Sequence, residues 1–116
     1  MGINEQIKPF QFIPADPLDA GTRPQAFLHA DDFLQDLFDE RAAEGNGYDW
    51  TALAQVYLAE RCSEELQSLI EFEPEAEVFS VFSDDEEALR NFMLGFKAAC
   101  DNREVITELL SRAVLD

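Results

Sequence analysis

One histidine and two cysteines are all that this 116-residue chain offers to soft-metal or nucleophile chemistry. His29 alone cannot complete a His/Cys zinc constellation, and Cys62 and Cys100 form no CxxC pair. Both thiols lie in apolar, helix-like stretches and read as reduced, core-side residues. Basic residues are scarce as well: 8 Lys and Arg stand against 25 Asp and Glu, a formal charge of −17. Such a surface repels phosphate backbones and anionic headgroups, so direct binding of nucleic acid or membrane is not expected. No stretch approaches the ~20 apolar residues of a membrane span. The first six residues lack the basic start and apolar run of a secretory leader, which places the expected chain in the cytoplasm.

Catalytic signatures are missing too. The sequence contains no GxGxxG and no GxxxxGK[ST], and nothing around Ser63, Ser68, Ser80, Ser83 or Cys100 resembles a nucleophile motif. His29, just before Asp31 and Asp32, reads as a strand-end or capping residue. The pairs Asp31/Asp32 and Asp84/Asp85 lack the alternating ligands and glycine of a calcium loop, and acids at helix starts are accounted for by the helix dipole. The expectation is a protein without catalysis, cofactor or metal.

What is present is enough apolar material for one core: 47% hydrophobic residues, ten of them Phe. One domain spanning residues 1–116 is expected. Residues 7–14 alternate, with Phe10 and Phe12 on one face and Gln11 and Ile13 on the other, as in a strand bounded by prolines. A loop follows at 16–24 and a short second strand at 25–30. The spacing of Phe33, Leu34, Leu37, Phe38 and Ala42 predicts a helix over 32–43, capped by Asp31 and stopped by Gly45. Asp49 is expected to cap a second helix whose inner face carries Trp50, Leu53, Tyr57 and Leu58, with 63–66 extending it or adding a turn.

From residue 69 the period changes to two, and strands at 69–72 and 78–82 flank a turn at 73–76 as a hairpin. The second of these is apolar on both faces and reads as a central strand covered on both sides. Residues 83–86 form a capping box for a helix carrying Leu89, Phe92, Met93 and Phe96, with small Ala88, Gly95 and Ala99 permitting close approach. Asp101 to Glu104 opens a last helix bearing Val105, Ile106, Leu109 and Leu110. The predicted class is α+β: a small, mostly antiparallel sheet, made of the N-terminal strands and the 69–82 hairpin, packed against about four helices. Phe72, Phe79, Val81, Phe92, Phe96, Trp50 and Leu53 are the expected core.

The carboxylates are clustered. Asp32, Asp36, Asp39 and Glu40 share the polar face of the first predicted helix, and Glu71, Glu73, Glu75 and Glu77 surround the hairpin. Crowded acids without a cation at i+4 weaken a helix, and a basic partner would relieve them and be steered towards them. These eight residues are the candidate partner-binding set.

The segment at 45–50, with Gly45, Gly47, Tyr48, Asp49 and Trp50, is followed by the 70–76 hairpin and the helix start at Ser83 and Asp84. Leu94, Gly95, Phe96 and Lys97 come next, and then Ser111, Arg112 and Ala113. This ordered set, over about residues 33–116, resembles immunity protein 51 of bacterial polymorphic-toxin systems. The resemblance implies a domain that binds and neutralises one cognate toxin by occlusion and has no catalytic residues. Gly45, Gly47, Tyr48, Asp49 and Trp50 are expected to define a helix–helix turn rather than a contact surface. The composition alone fits a monomeric inhibitor of a basic protein, a nuclease first, and equally an acidic adaptor or nucleic-acid mimic that blocks some other basic protein.

Overall fold

A computed structural model describes residues 2–29, 33–73 and 75–113 of the chain. Its elements in chain order are α1 (Ile3–Gln6), β1 (Gln11–Ile13), β2 (Gln25–His29), α2 (Gln35–Glu40), α3 (Gly47–Arg61), α4 (Glu64–Leu69), β3 (Glu71–Phe72), β4 (Val78–Phe82), α5 (Glu86–Asp101) and α6 (Arg103–Arg112). The fold is α+β. The four strands pair antiparallel in the order β1-β2-β4-β3, so β4 is central, as its apolar sequence implies.

Register explains which side of the sheet is buried. Phe12 lies opposite Ala26, Ala26 opposite Val81, and Leu28 opposite Phe79, and all five are buried. Because side chains alternate along a strand, Gln11, Ile13, Gln25, Phe27, His29, Val78, Ser80 and Phe82 face the other way. These eight are half-buried or exposed. The expectation that β4 is covered on both sides is therefore corrected. Among the described residues the helices pack on one face only, and the outward Val78 and Phe82 stay half-exposed.

Aromatic rings join the layers. Phe10, Trp50, Phe79 and Phe96 come from the N-terminal segment, α3, β4 and α5, and each ring contacts the other three at centroid separations of 5.6–6.4 Å. All four side chains are almost fully buried. Edge-on and tilted contacts of this kind add to the large apolar area that each ring removes from water. Tyr57 extends the cluster, with its ring 5.4 Å from Phe96 and 5.6 Å from Phe92. The small residue Gly95 makes this possible, because a Cβ there would lie 2.2 Å from the Tyr57 hydroxyl. Of the expected core only Phe72 is half-buried, since β3 is an edge strand of two residues.

Helix ends depart from the sequence reading in a consistent way. The first predicted helix shrinks to α2, which starts after Leu34 in a left-handed conformation (φ 58°) with no side-chain cap. Asp31, expected as its cap, lies outside the described residues. The helix stops at Ala42 rather than Gly45. Ala42 takes φ 55°, its N–H donates to Asp39 O, and the Ala43 N–H donates to Phe38 O at 2.9 Å. This is a Schellman closure with alanine in the glycine position. Ala42 is consequently exposed and Ala43 is buried. Asn46, not Asp49, caps α3; Asp85, not Ser83, caps α5; Asn102, not Asp101, caps α6. Residues 63–66 begin a separate helix, α4, capped by the Ser63 hydroxyl.

Candidate partner-binding surfaces

The α2–α3 connection is built around Asp49 and Gly47. Asn46 Oδ1 accepts the Asp49 N–H at 2.9 Å, and buried Asp49 Oδ2 accepts the Gly45 N–H at 2.8 Å. The two side chains satisfy backbone donors on either side of the helix start, as a capping box does. Gly45 itself takes φ +74°. Gly47 is required for a different reason. Its N–H donates to Ala76 O at 2.9 Å, and a Cβ at this position would sit 1.8 Å from Glu75 O and 2.5 Å from Val78 O. Backbone occupies the space a side chain would need. Trp50 enters the core, while Tyr48 is 46% exposed. Of the five motif residues Gly45, Gly47, Tyr48, Asp49 and Trp50, four are thus placed by the turn and the core, and Tyr48 presents its ring to solvent.

The Gly47–Ala76 contact has a long-range result. It holds the loop between β3 and β4 against the α2–α3 connection, so acidic groups distant in sequence share one end of the molecule. Exposed Asp36, Asp39 and Glu40 on α2, tied to Glu44 through the Gln35 side chain, flank the same connection as exposed Glu75 and Glu77 in the loop. Asp32 lies outside the described residues. Glu71 and Glu73 run along the β3 edge, where the Glu73 N–H donates to Ser80 O at 3.1 Å. Periodicity alone put α2 and the hairpin in separate clusters; the glycine contact that joins them had no signature beyond Gly47 itself.

Two of these carboxylates are not free of cations. The Arg103 guanidinium at the start of α6 pairs with Asp36, and that hydrogen bond holds the Asp36 carboxyl below its usual range. Arg23 bonds Glu71 and also Asp84, the latter at 2.7 Å, and the Glu71 hydrogen bond chiefly raises the Arg23 pKa. No cation stands at i+4 from Asp36, as the sequence shows; its relief comes instead from a helix 67 residues away in sequence. Solvent-exposed pairs of this type stabilise only weakly, because water screens the attraction and ordering two side chains offsets it.

Groups with chemical potential are placed as structure. Cys100 is buried and Cys62 is half-buried, both are free thiols, and burial pushes both pKa values up. Thiols held protonated in this way are poor nucleophiles. His29 ends β2 with its ring 5.5 Å from Phe27. Among the described residues no group of three or more His, Cys, Asp or Glu is arranged to hold a metal ion, and no helix is long and apolar enough to cross a membrane.

The sheet-and-helix fold with a joined acidic end defines a small acidic α+β domain. The family model of immunity protein 51 matches residues 25–115, and the chain belongs to that family. Searches of curated proteins and of solved structures returned no match. Membership of an immunity family implies a cognate toxin as partner.

Proposed function

We propose that this chain neutralises one cognate protein toxin by stoichiometric occlusion, without catalysis, in the cytoplasm of the cell that makes it. The match to the immunity family over residues 25–115 carries the reading. The charge of −17 supports a toxin with a basic surface, and a nuclease is the first choice because enzymes that hold phosphates need basic clefts. The acids of α2 and of the β3–β4 loop, Asp36, Asp39, Glu40, Glu75 and Glu77, would steer that surface in, together with Glu71 and Glu73, and Asp32 belongs to the same proposed set by its sequence. Self-repulsion between highly charged copies favours a free monomer. The test is co-expression with the toxin domain encoded beside this chain, scored by survival and by recovery of a one-to-one complex. Killing that continues despite a soluble, folded chain, with no complex formed, overturns the reading.

A further inference from the structure

We infer that the uncovered face of the sheet is where the toxin seats, through a strip of apolar anchors inside an acidic frame; this rests on the immunity reading above. No described helix packs on that face, since the ring contacts from α3 and α5 to the strands run to Phe72 and Phe79 on the other side. The register lines up its residues in rows. Ile13, Gln25, Phe82 and Glu71 form one row; Gln11, Phe27 and Ser80 form the next; His29 and Val78 form the last. Ile13, Phe27 and Val78 thus run diagonally across the face, with Phe82 beside them, as an apolar strip on a strongly acidic domain. Ile13 is 43% exposed and the other three are half-buried. Water on such a strip is displaced at a gain when a partner covers it.

The strip ends in a hollow of about 300 Å³ between the sheet and the 14–24 loop, bounded by Ile13, Asp16, Arg23, Gln25 and Phe82. The Arg23 guanidinium lies 5.9 Å from the centre of the Phe82 ring while bonded to Glu71 and Asp84, so its charge is already answered. Asp16 stands at the lip. An apolar floor with a carboxylate at the rim fits a long side chain ending in a cation, with its methylenes on Phe82 and Ile13. At the other end, Val78 directly follows Glu77, so the strip runs into the acidic end described above. The whole frame is complementary to a basic protein. A second copy of this chain is disfavoured by the same charge, since two surfaces of −17 would be brought together.

The experiment uses the full chain and the toxin domain encoded beside it. Phe27→Thr/Val78→Thr puts β-branched, strand-compatible threonines at both positions while removing two anchors. Ser80→Arg places a bulky cation in the middle of the face and removes no apolar contact. Fold is checked by circular dichroism and melting. Each variant should weaken binding at least about 30-fold, chiefly through faster dissociation, the behaviour of truncated interface anchors. Carbodiimide footprinting of the unmodified complex should protect Glu71, Glu73 and Asp84, a readout that does not depend on any variant folding. Folded variants that bind like the parent, or an unprotected footprint, overturn the inference and leave the immunity reading intact. A parent chain that does not bind the toxin overturns the immunity reading itself. A homodimer of the free chain that Ser80→Arg dissociates would assign the face to a second copy and also overturn the inference.

Discussion

Tyr57 shows how much one side chain can record about its surroundings. Its ring packs on Phe92 and Phe96 and its hydroxyl sits over Gly95, and this burial raises the phenol pKa from 10.0 to about 12. A group with a raised folded-state pKa contributes stability that is complete below its unfolded value and is lost as pH rises through the folded one. For Tyr57 that window is pH 10 to about 12, and the contribution at stake is at most about 3 kcal/mol. Cys62 and Cys100 shift in the same direction from 9.0, so the decline should begin somewhat earlier. Denaturant melts at pH 8.5 and pH 11 should show the parent losing more stability than Tyr57→Phe. Equal losses in the two proteins would mean that the hydroxyl is hydrated in the folded state.

At the scale of elements, the caps are the most local interactions and yet were the least legible. Each helix start offers several adjacent cap residues: Asn46 and Asp49, Ser83 and Asp85, Asp101 and Asn102. Any of them can accept a backbone N–H, so which one does is decided by how the preceding strand or turn delivers the chain. At α5, Ser83 is buried at the end of β4 and its hydroxyl accepts the Asp85 N–H at 3.0 Å, which leaves Asp85 Oδ1 to accept the Ala88 N–H at 3.1 Å. Asp85→Ala should therefore cost about 1 kcal/mol. Asp84→Ala removes only an exposed pair with Arg23 and should cost less than about half of that. Thermal melts of the two variants decide the assignment, and the reverse order would move the cap to Asp84.

For the whole molecule the dominant quantity is charge. Association with a basic toxin should be fast at low ionic strength and slow as salt is added, because at physiological salt exposed charges act only over about 8 Å. Asp36→Lys/Asp39→Lys should lower the association rate more than it raises dissociation, in contrast to the sheet-face variants. The Arg103 pair tempers the contribution of Asp36, so Asp39 should carry more of the effect. Stopped-flow traces across a salt series measure this directly. Salt-insensitive association in both proteins would reduce the acidity to a solubility trait.

The sequence by itself determined the class, the order of β1, β2, α2, α3, the β3–β4 hairpin, α5 and α6, and the expected core apart from Phe72, because periods of 2 and 3.6 in apolar residues are local and need no partner to be read; the short helices α1 and α4 were not legible in this way. It also determined the charge, and with it the kind of surface that can approach. Tertiary structure decided the rest. Whether β4 has helices on one side or two depends on where α3 and α5 dock, and an apolar residue such as Phe82 looks the same in either case. The joining of the two acidic clusters depends on a backbone-to-backbone contact at Gly47 and Ala76, which no side-chain pattern encodes. Pairing of Asp36 with Arg103, like the hollow between Ile13 and Phe82, arises between segments far apart in the chain. Such contacts exist only once the core has closed, and so they are absent from any local reading.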